Sequence, residues 1–547
     1  MISAIMEARQ VWMLKGSDDG YRDWRNYDMV ELKKKRRIIC CTMILAMILV
    51  FCACGKQSHR KTIDIAVENN ILENDNNDID ETKMDEKIYK GELSYSVTGI
   101  NSDIKSVYYY SDSYFENPGE DVNEHLRTMS LNLALAVTPA PSGEKNRYIV
   151  DLLTDIGFQD ISCEDLLIES TKDTIGSAIS HKNINGTEVI AVAIRGDGYE
   201  AEWASNMMIG KSGDEEGFLS ASGKVIDRIK KYQEKYHLKN VKIWICGYSR
   251  AGAVANLTGK YIIQHLSEFD IIDEDNIYVY TFEAPNSSGD DVVYDSIHNV
   301  INVNDFIPYI PFEKWGLYSN GQKEYIGKEK YITKKSVNIL KDKKQKEEKD
   351  KEESNLTNES EKISLTDFLS ETADWLAETI DRENVAEGMS YVSKFIEMSY
   401  KKSPNELEGM IDYYKLVGQS IIKDMSKTEW IRLILTFALS GSAIRTDVIG
   451  EIVDIITTHM DIVKEEQGIL FSEEEYEILK GSVLPLLKIL QPIISSDAPD
   501  FTHLMTLADN AYSIISAHIT SINLELIQEE DSYFTDEVIT FPIEEMK

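Results

Sequence analysis

The chain has 547 residues, of which 42% are hydrophobic and 9% aromatic, enough for one large domain or several ordinary ones around a substantial core. A formal net charge of −36 excludes nucleic-acid binding, which needs a basic face, and adsorption to anionic lipid by charge alone. The six cysteines form no Cys-x-x-Cys pair and no Cys/His cluster, so neither a zinc site nor a disulfide framework is read, and no EF-hand loop is present.

At the front, KKKRR at 33–37 precedes the uncharged run IICCTMILAMILVF at 38–51, followed by Cys52-Ala53-Cys54-Gly55. A basic head, a short apolar run and a small residue before a break are the parts of a secretory signal. The Ala53-Cys54 junction resembles a bacterial lipoprotein signal, although Phe51 stands where such signals usually carry leucine. The resemblance implies cleavage before Cys54, lipidation of that cysteine, and anchoring to the extracytoplasmic face of a cell membrane. The alternative is a single uncleaved N-terminal membrane anchor, for which the run is short of the roughly 20 residues a span needs. Met29 opens MVELKKKRR, a normal signal head, so starts at Met1 and at Met29 both stand. Residues 1–53 are read as extension and signal. Residues 54–89 are read as an acidic disordered tether, because 68–87 hold eight acids, two bases and many asparagines.

Beyond the tether, SVYYY at 106–110 predicts a strand, and 123–136 and 146–157 predict helices. TIGSAISH at 174–181 and EVIAVAI at 188–194 predict paired strands around an Asn185-Gly186 hairpin turn. Residues 217–236 have helical apolar spacing, while VKIWIC at 241–246 and IYVYTFE at 277–283 read as buried strands. Such runs alternating with helices predict an α/β fold whose mostly parallel sheet is covered by helices on both faces. The composition changes at 341–362, a charge run without apolar anchors, and 364–495 reads as amphipathic helices such as 428–439 and 446–464. The expected organisation is a core over 90–335, a charged linker over 336–363, a helical insertion over 364–500, and a return to the core over 501–547.

Within ICGYSRAGA at 245–253, Ser249 follows a buried strand and precedes a helical pattern. Gly-x-Ser recurs at 210–212, 388–390 and 418–420, but only at 247–249 does it have that setting. A nucleophile elbow needs this strand-to-helix turn, with small neighbours where the two elements nearly touch. Gly247, Ala251 and Gly252 meet that need, although the elbow pattern has glycine at 251. The Arg250 amide at the helix start is placed to donate to an oxyanion. From the tripeptide alone, a structural turn with a serine N-cap stands beside this reading.

Four blocks in series resemble the class 3 lipases of the α/β-hydrolase fold: IAVAIRGDGYEAEWASN (190–206), GYSRAGAVANL (247–257), VYTFEAPN (279–286) and INVNDFIPYIP (301–311). The resemblance implies a serine hydrolase cleaving carboxylic esters, a lipid or acylglycerol lipase or an esterase, with no cofactor and a lipid or acyl-ester substrate. It implies oxyanion amides near Gly196 and Asp197 as well as at Arg250. Asp197 departs from the family's Ser or Thr, and Glu202 and Trp203 in the same block are read as structural. In the triad order Ser, acid, His, the acid is Asp305, on a loop after the strand-like HNVINV (298–303) and in the block similar to the family's acid segment, with Asp295 in reserve. That order leaves His459, His503 and His518 as bases: His459 reads as packing, and His518, in a segment similar to the family's histidine segment, is set against His503. The 213-residue gap between Asp305 and His518 is filled by the helical insertion, which is either a cap, with Trp375 and Trp430 lining an acyl pocket, or a packing module. A lipid-anchored surface scaffold or binding protein on a hydrolase fold, weak or inactive in catalysis, is the competing functional class, motivated by Asp197 and Ala251.

Overall fold

A computed structural model describes residues 87–96, 104–140, 146–167, 170–196, 200–333, 362–400, 404–426, 445–467, 472–495, 501–536 and 538–543, with isolated positions 144, 402 and 428. The signal and Cys54, most of the tether and the charged linker, Asp197, Trp430 and nearly all of 428–439 lie outside the described residues.

In chain order the core opens with strands β1 (Ile88–Tyr95) and β2 (Ile104–Tyr110), then helices α1 (Glu124–Ala136) and α2 (Arg147–Asp155). Strands β3 (Gln159–Glu164), β4 (Ser177–Ile184) and β5 (Thr187–Ile194) follow, then α3 (Glu216–Tyr236), β6 (Val241–Tyr248) and α4 (Arg250–Gln264). Strands β7 (Ile277–Phe282), β8 (Ile297–Asn302), β9 (Gln322–Ile326) and β10 (Tyr331–Thr333) complete the first pass. After the linker come β11 (Lys362–Ser364) and helices α5 (Leu365–Thr379), α6 (Arg382–Tyr400), α7 (Pro404–Asp424), α8 (Arg445–Gln467), α9 (Glu473–Gly481) and α10 (Val483–Ser495). The chain returns through α11 (Phe501–Ala517), α12 (Thr520–Glu530) and β12 (Thr540–Pro542).

The central sheet has seven strands in the order β3-β4-β5-β6-β7-β8-β9. β3, β4 and β5 are antiparallel neighbours, whereas β5 through β9 run parallel. The β4–β5 hairpin turns on Asn185 and Gly186, both at positive φ (51° and 87°), the backbone that a two-residue turn matching strand twist requires.

Strand periodicity explains the two cores. In β6, Trp244, Cys246 and Tyr248 face one side with Tyr278, Tyr280 and Phe282 of β7. There they pack under α1, α2 and α12 through residues such as Leu131, Leu152 and Leu524. The intervening Ile243, Ile245, Ile277 and Val279 face the other side, under α3 and α4. Strands buried on both faces read as continuous apolar runs, which is why β5, β6 and β7 were legible. β12 pairs in parallel with β1, closing the C-terminal end of the chain onto the first described strand.

The insertion has its own core, including Met398, Tyr413, Met460 and Tyr476. It rests on loops that leave the C-terminal ends of the parallel strands. Trp315 Nε1 donates to the carbonyls of Ala377 and Ile380 (3.1 Å each), and Arg382 donates to those of Trp315 (2.8 Å) and Gly213 (3.0 Å). Thr366 Oγ1 donates to Val303 O at 2.7 Å, just past β8.

Candidate active site

Between β6 and α4 the chain reverses in a single residue. Ser249 has φ 54° and ψ −124°, a backbone that side-chain-bearing residues rarely adopt. Its amide donates to Phe282 O (2.7 Å) and its carbonyl accepts from Gly252 N (2.8 Å), so the turn is held from both the neighbouring strand and the helix. Its side chain makes no capping bond to α4, which removes the N-cap reading. The crossing leaves no room for a Cβ. One at Gly247 would lie 2.2 Å from Ala251 O, and one at Gly196, past the end of β5, would lie 2.0 Å from Tyr248 O. Ala251 is fully buried within this contact, so the methyl that departs from the glycine pattern is accommodated.

Asp305 lies on the loop after β8 and is 1% exposed. Ile307 N donates to its Oδ1 at 3.0 Å. His518 occupies the turn between α11 and α12, with its side chain 25% exposed. His518 Nδ1 is 2.5 Å from Asp305 Oδ2, and His518 Nε2 is 2.9 Å from Ser249 Oγ. Side chains 269 positions apart in sequence thus form one hydrogen-bonded series. Asn523 Nδ2, on α12, donates to Ala517 O (2.8 Å) and to Tyr248 Oη (2.7 Å), while its Oδ1 accepts from Asn302 Nδ2 (2.8 Å). These bonds tie the histidine turn to both the elbow strand and β8. Sequence reasoning missed Tyr248, Asn302 and Asn523, because neither a side-chain amide nor a phenol carries a local signature and their partners are set by topology.

The other candidates lie elsewhere. Asp295 is exposed before β8, at the opposite end of that strand from Asp305, and holds Gln322. His503 is buried between the rings of Phe368 (5.6 Å) and Trp375 (5.4 Å). His459 pairs with Ser420 at 2.9 Å within the insertion, as its packing role predicts.

Beside the elbow lies a buried charge cluster. Arg195 Nη2 donates to Glu202 Oε1 at 2.5 Å, Thr174 Oγ1 donates to the same oxygen at 2.8 Å, and Arg250 Nη1 approaches Glu202 Oε2 at 3.5 Å. Burial pushes the Glu202 carboxyl up, against the opposing pull of Arg250 and Arg195. Arg250 Nη2 also donates to Ser205 Oγ at 2.8 Å. The cluster links the end of β5 to the start of α4, the two segments from which oxyanion amides are expected. Gly196 stands against the elbow; Asp197 is outside the described residues. Among the described residues, Glu124, His125 and Asp531 form one group with metal-ligand spacing. There His125 is already bonded to Asp531 at 2.7 Å and stacked on Tyr533.

Residues 190–315 match the family model described as Lipase (class 3). No curated protein matches the chain significantly. Among solved structures, a lipase from Rhizopus microsporus var. chinensis is 16% identical over 38% of this chain and 76% of its own, with a TM-score of 0.29. Lipase II from Rhizopus niveus is 12% identical over 43% of this chain and 83% of its own, with a TM-score of 0.28. The matched span runs from β5 through the elbow to the Asp305 loop, so this part of the chain, within a mostly parallel α/β sheet, is similar to the class 3 lipases.

Proposed function

We propose that this chain is a serine hydrolase of carboxylic esters, acting on lipid or other acyl-ester substrates and held at a membrane surface through Cys54. The observation that carries the reading is the series Ser249 Oγ, His518 Nε2, His518 Nδ1, Asp305 Oδ2 at 2.9 and 2.5 Å. A serine hydroxyl is a weak nucleophile at its own pKa and needs a neighbouring base. Here Nδ1–H donates to Asp305, which leaves the Nε2 lone pair aimed at the Ser249 hydroxyl.

Ser249 Oγ attacks the ester carbonyl carbon while its proton passes to His518 Nε2. Asp305 orients the imidazole and stabilises the imidazolium. The Arg250 amide and an amide near Gly196–Asp197 receive the oxyanion; each such donor is worth about 10²–10³ in kcat. On collapse the carbonyl re-forms, the alkoxide leaves with the proton from Nε2, and an acyl-serine remains. Water then attacks the acyl-serine with His518 again as base, giving the acid and free Ser249.

The test is hydrolysis of p-nitrophenyl esters of graded chain length by wild type and Ser249→Ala. Turnover that rises with acyl length and vanishes in the variant supports a lipolytic enzyme, and preference for short chains supports an esterase. Turnover unaffected by the variant, or none from folded wild type, sinks the hydrolase reading in favour of a lipid-anchored binding protein.

A further inference from the structure

Glu283 follows β7 within the VYTFEAPN block, and the chemistry above gives it no role. Its backbone lies in the left-handed region, at φ 49°. Its amide donates to Val300 O at 3.0 Å, and its Oε1 accepts the Asn302 N–H at 2.8 Å. The side chain is completely buried. Among the described residues, no N–H group or hydroxyl reaches the second carboxyl oxygen, Oε2. The neighbour of the Glu283 carboxyl is instead the carboxyl of Asp305.

A hydrogen bond between two carboxyls requires one proton, and two adjacent buried carboxylates cannot both ionise. The surroundings decide where the proton sits. Asp305 accepts the Ile307 amide on Oδ1 and lies 2.5 Å from the imidazole of His518 through Oδ2, so both of its oxygens have partners. Glu283 receives the single Asn302 amide, leaving Oε2 as the site for a proton. Strained backbone at a non-glycine residue persists only where its surroundings over-determine it.

We propose that Glu283 is a positioning residue: it keeps a proton on its buried carboxyl and donates it to the Asp305 carboxylate, bracing Asp305 against the ends of β7 and β8. The neutral brace fixes the orientation of Asp305 toward His518 without setting a second negative charge beside the imidazole. Burial and the Asp305 charge both hold the Glu283 carboxyl well above the ordinary carboxylate range, in agreement with this state. The role in turnover rests on the hydrolase reading, whereas the protonated carboxyl does not.

The test uses the full chain with Glu283→Gln and Glu283→Ala. The glutamine amide can donate to Asp305 and accept from Asn302, so kcat on a p-nitrophenyl ester should stay within about threefold of wild type. Alanine should lower kcat by about tenfold or more, with KM changed less than about twofold. At neutral pH, the infrared difference between wild type and Glu283→Gln should contain the C=O band of one protonated carboxyl. A missing band, or a glutamine variant that retains its fold yet loses as much kcat as alanine, overturns the proposal. Should the alanine variant fail to fold, the band and the glutamine kinetics decide. Activity that survives Ser249→Ala overturns the hydrolase reading and leaves the infrared result standing.

Discussion

A serine before a helix ordinarily caps it, but Ser249 is turned away from the α4 amides and toward His518. Under the proposed roles, His518→Ala and Asp305→Asn each lower kcat by about 10³–10⁴ with little change in KM, measured by steady-state ester hydrolysis. His503→Ala should instead leave kcat intact and lower the melting temperature, because its ring is stacked between Phe368 and Trp375 and such pairs each contribute about 0.5–1.5 kcal/mol. Glu283 adds a pH dependence. Burial and Asp305 raise its folded-state pKa, whereas the unfolded chain releases the proton near pH 4.3. Its contribution to stability is therefore full below that pH and is lost as pH rises toward the folded value. Glu283→Gln removes this titration. Its unfolding free energy should gain on wild type by up to about 1.4 kcal/mol per pH unit in that window, read from denaturant melts between pH 5 and 8. A gap that stays flat or narrows with rising pH contradicts the raised pKa.

At the scale of elements, the site is made where β5, β6, β7 and β8 end together. Gly196 is the contact between the first two of these ends. Gly196→Ala forces a methyl toward the Tyr248 carbonyl and should destabilise the fold by about 1–3 kcal/mol, lowering both the melting temperature and kcat. An unchanged melt would mean that the crossing is looser than it stands here. The elbow and the Asp305 loop were legible because each is local: a continuous apolar strand followed by small residues, and an Asp-x-x-Pro turn after another strand. His518 was reached by chain order and resemblance, since nothing in SIISAHITS sets that histidine apart. Glu283 was quoted without a role. Its meaning depends on β7 lying beside β8, which brings two carboxyls together that are 22 positions apart in sequence. β9, QKEYI, went unseen because its exposed and half-buried residues alternate along the sheet edge. β12 was hidden because three residues pair with a strand more than 440 positions earlier.

Across the whole molecule, the insertion returns the chain to the core through α11, and His518 sits at the end of that helix. His518 thus reaches Ser249 from the end of an insertion that is seated, through Trp315, Thr366 and Arg382, on the loops past the strand ends. With a net charge of −36, attachment to a membrane is expected to come from acyl chains rather than from basic residues. Fractionation of cells should place the wild type in the membrane pellet even in high salt, and Cys54→Ala in the soluble or secreted fraction. A variant that stays in the pellet favours an uncleaved anchor over 38–51.

The most direct measurement is peptide mapping by mass spectrometry after treatment of the folded chain with a fluorophosphonate. One adduct is expected, on the peptide that contains Ser249. It should be absent in Ser249→Ala and slowed by orders of magnitude in His518→Ala. An adduct on another serine, or no adduct on folded wild type, contradicts the account.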